Sequence, residues 1–415
     1  MFAPSNPYQQ ALGAPSVGVH GSPFGSQLHA PQGQPAPAAN EHKPPETDFD
    51  RSINYYADYS GCGHWRMIWP EHVLNAHQKA VVHGTTMMVL DERYYENTLS
   101  VRVQRQATEH QLKFIRFLRE IANKKNIKII YEIDDIVFSE DIPDYNKFKP
   151  AFEDPVIRQS AMDIMGECDE VTVTNKFMQE YYLSKTTNKN ITVIPNYPPK
   201  FWLGKYYNRE KIAKNYKKTR KRPRVVYAAS GAHFDVENKV NQRDDFHHVN
   251  DVIIKTLKDI QWVFIGAYPL PLHGLVEQGL IEYHPWRRLY EYPDLLNDIN
   301  PTVFIAPLVD NTFNRAKSDL KYIEACCYGV PIVCQDICTY SNAPYRFTTG
   351  PELIDQIQKI TKSYSGYMKA SDEAYKIAET RWLELDDNID KYAELYKHPY
   401  KHPERKLLNS LDDNK

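Results

Sequence analysis

The sequence predicts an α/β protein of two Rossmann-like domains, each a doubly wound parallel sheet, facing each other across a central cleft. Three observations carry this. Apolar, β-branched runs alternate with helical spacing from about residue 50 to 197. The alternation stops over 198–224 and restarts at 225. The first 47 residues are rich in Pro, Gly, Ala, Ser and Gln and carry few aliphatic side chains, so they cannot bury enough surface to offset the entropy of ordering. A chain of 415 residues, 42% hydrophobic, has room for two cores. The expected boundaries are a disordered tail over 1–47, a first domain over 48–199, a basic linker over 200–224, a second domain over 225–380, and a C-terminal helix and tail over 381–415.

Each element has its own local reason. Ile53–Ala57 is a short strand, and Gly61-Cys62-Gly63 then turns the chain into a helix. "AVVHGTTMMVL" and "SVRVQ" are compact β-rich runs. Leu112, Ile115, Leu118 and Ile121 recur at helical spacing behind Thr108, a capping residue. "IKIIYEID" is apolar on both faces, as a buried parallel strand requires. "EVTVTN" leads into a further helix, and "ITVIPN" closes the first series. Pro198 and Pro199 open the linker, which holds eleven Lys or Arg against one acid, Glu210. The second series runs "RVVYAAS", a helix from about 245 to 258, "QWVFIGA", "LIEYH", a helix near 293–299, "TVFIAPL", a helix after Ser318, and "PIVCQD". Helical patterns follow at about 351–363 and 369–397.

Composition narrows the function classes. A formal net charge of −2 gives no global attraction to polyanions. No apolar run is long enough to cross a bilayer, and the amino terminus lacks the basic start and apolar stretch of a secretion signal. The six cysteines (Cys62, Cys168, Cys326, Cys327, Cys334, Cys338) fit no zinc spacing and read as reduced thiols, so a cytoplasmic protein is expected.

Four loops carry candidate chemistry. In "FNRAKSDLKYIEACCYGVPIV", Lys317 and Ser318 stand at the mouth of a helix that ends at Gly329. Free N–H groups, the helix dipole and Lys317 together suit a diphosphate, and Glu324, two turns inside, suits a vicinal diol such as a ribose. A capped helix with a solvated lysine is the plainer alternative. In "SGCGHWRMIWPEH", Gly61 and Gly63 permit close backbone approach and Arg66 can face a phosphate, with a tight turn as the alternative. In "EIDDIVF", Asp134 or Asp135 can orient a hydroxyl or cap a loop. Ile and Val flank the pair and no third ligand is evident, so no metal is expected. In "AASGAHFDVENKVNQRDDFHH", His233, Lys239 and Arg243 are the basic candidates beside Ser230, with His233 and Arg243 preferred. Trp65 and Trp286 can stack on a sugar or simply pack a core.

"PLVDNTFNRAKSDLKYIEACCYGVPIV" closely resembles the donor-binding segment of GT-B glycosyltransferases of the family 4 type (glycosyl transferases group 1), in the branch found in surface-polysaccharide gene clusters and large phage genomes. Weaker likeness extends over about 53–397, through "QRQATEHQLKFIRFLRE…IKIIYEIDDIVF", "VTVTN", "VIPN" and "FIGAYP". The resemblance implies a GT-B fold with an N-terminal acceptor domain and a C-terminal nucleotide-sugar domain. It implies transfer of a hexosyl or pentosyl unit from a nucleotide diphosphate sugar, a UDP-sugar, with retention of configuration and no obligatory metal or cofactor. It places Lys317 and Ser318 near the diphosphate and Glu324 at the ribose, and it turns the Gly61, Gly63 and Arg66 loop to the cleft for a donor or acceptor role. Asp319, Leu320 and Ser230 are read as donor-binding beside them, His233 and Arg243 as the basic groups of the loop after the second domain's first strand, and Asp134 as an acceptor-side group. One departure is clear: the family's sugar-holding Glu, eight residues before the ribose Glu, is here Ala316. The acceptor is either a surface glycan or a modified base in DNA, the basic linker favouring DNA. A nucleotide-sugar epimerase or a non-catalytic nucleotide-sugar binding protein is the alternative.

Overall fold

The computed structural model describes residues 50–235 and 243–397. The tail over 1–47, Lys239 and the residues beyond 397 therefore lie outside the described residues.

The first sheet is six-stranded and wholly parallel, in the order β2-β1-β3-β4-β5-β6. Its strands are β1 (Arg51–Tyr55), β2 (Val82–Thr85), β3 (Thr98–Gln104), β4 (Lys128–Glu132), β5 (Glu170–Val173) and β6 (Ile191–Val193). Between β1 and β2, a helical turn and a wider π-type segment lead into α1 (Trp69–Ala76). Between β3 and β4 runs α2 (Glu109–Lys125), which starts as expected: Thr108 accepts from Gln111 N, and Gln111 returns to the Thr108 backbone, a complete capping box. Two helices follow, α3 (Pro155–Glu167), which the sequence reading leaves out, and α4 (Lys176–Lys185). Leu112, Ile115, Leu118, Ile164 and Val171 pack together in one core.

The stretch over 200–224 corrects the expectation of a linker. It folds as α5 (Lys200–Leu203) and α6 (Arg209–Thr219), and α6 belongs to the second domain. Asn208 caps it by accepting from Lys211 N, and Ile212 and Tyr216, one turn apart, pack in the core with Val225 and Tyr227. The dense charge hides this two-residue apolar stripe from a compositional reading.

The second sheet is also six-stranded and parallel, in the order β12-β11-β10-β7-β8-β9. It contains β7 (Arg224–Ala229), β8 (Gln261–Gly266), β9 (Glu282–Pro285), β10 (Val303–Ala306), β11 (Ile332–Gln335) and β12 (Arg346–Phe347). Its helices are α7 (Asn250–Lys255), α8 (His273–Glu277), α9 (Tyr292–Ile299), α10 (Thr312–Arg315), α11 (Leu320–Cys327) and α12 (Gly350–Thr361). The helix expected over 369–397 is two helices, α13 (Tyr364–Glu379) and α14 (Asp386–Tyr396). Between them Trp382 and Leu383 are buried, and Leu383 N donates to Pro198 O at 2.9 Å. The chain thus crosses back, and Tyr392, Leu395 and Tyr396 of α14 join Trp69 and Leu74 of α1 in a core shared by both domains. No helix among the described residues is long and apolar enough to cross a membrane.

Candidate active site between the domains

The carboxyl ends of both sheets face the cleft, where open α/β sheets bind ligands. Three residues of the second domain converge there. Lys317 precedes α11, Lys321 lies in its first turn, and His233 ends the short turn after β7. Lys321 Nζ stands 3.3 Å from His233 Nε2, and Lys317 Nζ lies 4.0 Å from the centre of the Phe313 ring. Burial, then the neighbouring Lys317 ammonium, push Lys321 down to about 8.

His233 is buried, and its Nδ1 lies 2.7 Å from Asp245 Oδ2. Burial, then Lys321, push it down to about 4, against the opposing pull of Asp245. The ring is therefore neutral at pH 7, with Nδ1–H donating to Asp245 and Nε2 accepting from Lys321. This corrects the expectation of a cationic His233; the charge belongs to Lys321, and His233 holds it. Lys321 was legible in the quoted stretch, four residues after Lys317, but a lysine inside an apolar helix reads as surface.

The mouth of α11 is open. Asp319 is its N-cap residue, yet its side chain makes no capping hydrogen bond. Arg381 draws it away at 3.0 and 3.3 Å. The first N–H groups of the helix, from Leu320 onward, are thus not covered by a side-chain cap. One turn in, burial pushes Glu324 up to about 7, while Lys321 and the Tyr292 hydroxyl favour its charged form.

The first domain grips this segment. Asn175, which caps α4, donates through Nδ2 to Ala316 O at 2.8 Å and Lys317 O at 2.9 Å. Asn196, at the end of the "VIPN" run, donates to Ser318 Oγ at 3.0 Å. Tyr145 OH donates to Asp245 Oδ1 at 3.0 Å. Lys317 Nζ lies 3.5 Å from Asp135 Oδ2 across the cleft. None of these partners followed from spacing, because each pair is more than 100 residues apart except Tyr145 and Asp245, which are separated by 100. Ala316 is fully buried in the first core, so a carboxylate at this position would be an ion sunk among apolar groups.

The remaining expected residues divide. Ser230 caps the turn before His233 by accepting from Ala232 N. Arg243 is exposed at the edge of the undescribed 236–242. Asp134 Oδ1 lies 3.5 Å from Arg105 Nε, and Arg105 Nη2 donates to Asp58 Oδ2 at 2.8 Å. Arg105 adopts a positive φ of 44°, a strained conformation of the kind that collects at functional sites.

A further expectation is corrected. Arg66 does not face a phosphate. It is fully buried, pairs with Glu132 at 2.6 Å, and donates to Ile194 O and Asn196 Oδ1 at 2.7 and 2.9 Å. Glu132 also binds Arg102 and Thr172; burial works against its charge, but the two arginines hold it below the usual carboxylate range. Gly63 has the plainer of its two expected roles, the tight turn: a Cβ there would stand 1.9 Å from Asp58 O. At Gly61 a Cβ would meet nothing within 4 Å.

No model of a known protein family matches the chain, and no curated protein matches it in sequence. Solved structures do match in three dimensions. Anabaena Alr3699/HepE in complex with UDP aligns with a TM-score of 0.55 over 83% of this chain and 98% of its own, at 11% identity. The same protein in complex with UDP-glucose gives 0.53, over 83% and 99%, at 11% identity. A glycosyltransferase from Rickettsia africae ESF-5 gives 0.55, over 85% and 100%, at 13% identity. The likeness is one of fold, and the fold is GT-B: two parallel six-stranded sheets with a cleft between their carboxyl ends.

Proposed function

We propose that this protein is a glycosyltransferase that moves a sugar from a nucleotide diphosphate sugar, a UDP-sugar, to a hydroxyl acceptor. The observation that carries the reading is the convergence of Lys317, Lys321 and the uncapped mouth of α11 beside Glu324, inside the cleft of this fold. A diphosphate lies naturally against two ammonium groups and a helix amino terminus, with Glu324 accepting from the ribose hydroxyls. As the glycosidic bond breaks, charge grows on the departing diphosphate, and fixed cations at that point lower the barrier. His233 and Asp245 keep Lys321 aimed at it. Asp135 holds Lys317 from the other domain, a pairing for which the diphosphate competes. Retention of configuration belongs to the same proposal.

The acceptor hydroxyl enters from the first domain, past Asp58, Arg105 and Asp134. We favour a glycan. The basic stretch that pointed to DNA lies at the wrong end of the domain. Asn215 of α6 donates to Asn300 O and Pro301 O, just before β10, and Tyr216 OH donates to Thr361 O at the end of α12. These are the amino-terminal ends of the strands, roughly 17 Å of β7 away from the cleft.

The test is slow donor hydrolysis. Wild-type protein incubated with UDP-glucose, GDP-mannose and ADP-glucose is expected to release UDP from the first alone. Release from none of the three, with no nucleotide bound, would sink the reading. Release of a different diphosphate would keep the transferase and change the base.

A further inference from the structure

We propose that Asn196 is a positioning residue that turns the Ser318 hydroxyl into a hydrogen-bond donor aimed at the donor diphosphate; this rests on the reading above. Asn196 is buried, with 4% of its surface exposed. Its two amide atoms look alike in shape, yet the network leaves one orientation. Arg66 Nη1 lies 2.9 Å from one of them, and a guanidinium has donors only, so that atom is Oδ1. The other atom, 3.0 Å from Ser318 Oγ, is then Nδ2. An NH₂ group only donates, so Ser318 Oγ must accept. A serine hydroxyl has a single hydrogen, and here it must point away from Asn196, to be given to something else.

Asn196 cannot swing out of this role. Arg66 is fixed by Glu132 and by Ile194 O. On the other side Arg381 Nη2 donates to Asn196 O at 2.9 Å and also holds Asp319. The same arginine thus withdraws the Asp319 carboxylate, which would otherwise compete with an anion for the first N–H groups of α11. Glu132, Arg66, Asn196 and Ser318 form one polarised line from the first domain's core to the mouth of the donor helix. Every member except the last hydroxyl hydrogen has its partner fixed.

The consequence is specific to phosphate. A hydroxyl that must donate favours an anionic oxygen and contributes nothing to the nucleoside. Calorimetric titration of wild-type, Ser318→Ala, Asn196→Leu and the double variant with UDP and with uridine tests it. Ser318→Ala is expected to weaken UDP roughly tenfold, as for a hydrogen bond to a charged group. Asn196→Leu should cost about as much, the double variant no more than Ser318→Ala alone, and uridine affinity should not move. Asn196→Asp gives a second route if the leucine variant does not fold. Its Oδ1 keeps Arg66, but its Oδ2 captures the Ser318 hydrogen, so UDP weakens at unchanged uridine affinity. Three results overturn the proposal: unchanged UDP binding in both Asn196 variants, equal losses for UDP and uridine, or a full additional loss when Asn196→Leu is added to Ser318→Ala. If the wild type binds no UDP, the donor reading falls and takes this proposal with it. If the wild type binds UDP and the Asn196 variants match it, only the present proposal falls.

Discussion

Replacing Lys321 by Met is the sharpest perturbation of the site. Methionine keeps the stem of the side chain and its packing and removes the charge together with its N–H donors. With Nζ 3.3 Å from His233 Nε2 and pushed down to about 8, Lys321 is mostly protonated at pH 7 and mostly neutral at pH 9. A unit charge about 4 Å from a phosphate oxygen gains about 4 kcal/mol at an effective dielectric constant of 20. That is a ceiling, because the ammonium surrenders hydration and repels Lys317. A charge-assisted hydrogen bond contributes about 1.5 to 3 kcal/mol, which converts to roughly 10- to 150-fold in affinity. Calorimetric titration with UDP from pH 6 to 9.5 reads both effects. The wild type should hold its affinity up to about pH 8 and lose it above, as the lysine gives up its proton. Lys321→Met should bind UDP 10- to 150-fold more weakly at pH 7, with no alkaline decline from this group. Equal affinities and identical pH profiles for the two proteins would refute the assignment of the diphosphate to Lys321.

Other predictions follow from the same geometry. Glu324 sits at about 7 because of burial, above its ordinary 4.5, so the folded protein carries an extra proton between those values; this group's contribution to stability is present at the low end and lost as pH rises through 7. A ribose needs the ionised carboxylate, so UDP binding at pH 6 should release about one proton more from the wild type than from Glu324→Ala, the phosphate's own protons being common to both, as read from calorimetric enthalpies in buffers of different ionisation heat. Glu132→Gln leaves Arg66 and Arg102 buried without their counter-charge and should cost about 3 to 5 kcal/mol of stability, seen as a lower thermal midpoint. Because Glu132 is held below its ordinary value, its contribution is present above about pH 4.5 and lost as pH falls further; the wild-type midpoint should therefore drop on acidification more than that of Glu132→Gln. Gly63→Ala forces a Cβ against Asp58 O and should cost roughly 1 to 3 kcal/mol; a wild-type melting curve would show that the turn yields. Neutralising Lys217, Lys218, Lys221 and Arg222 together should leave UDP-glucose hydrolysis unchanged; a large loss of rate would return the basic helix to the active site.

The double α/β series was legible because each parallel strand is a short apolar run that needs no partner to be recognised. Thr108 and Gln111 announced α2 in the same local way. What escaped was tertiary. Arg66 reads as a phosphate ligand after two glycines, and only Glu132, 66 residues later, shows it to be a buried strut. The break between α13 and α14 lies in a continuous helical pattern, and is set by Leu383 reaching Pro198. Asn175 and Asn196 merely end the "VTVTN" and "VIPN" runs in the sequence; their grip on Ala316, Lys317 and Ser318 exists only once the two domains meet. Lys317, Ser318 and Glu324 could be read together because they lie on one short stretch of chain, the first two just ahead of α11 and the third inside it. The charge balance around them could not, since His233 loses its proton to burial and Lys321, neither visible from composition.

The most direct test is a crystal structure of the protein grown with UDP. The account predicts the diphosphate at the mouth of α11, within about 3 Å of Lys321 Nζ, Ser318 Oγ and the first N–H groups of the helix, with the ribose hydroxyls on Glu324. UDP bound elsewhere, or these groups keeping their present partners in crystals saturated with nucleotide, would contradict it.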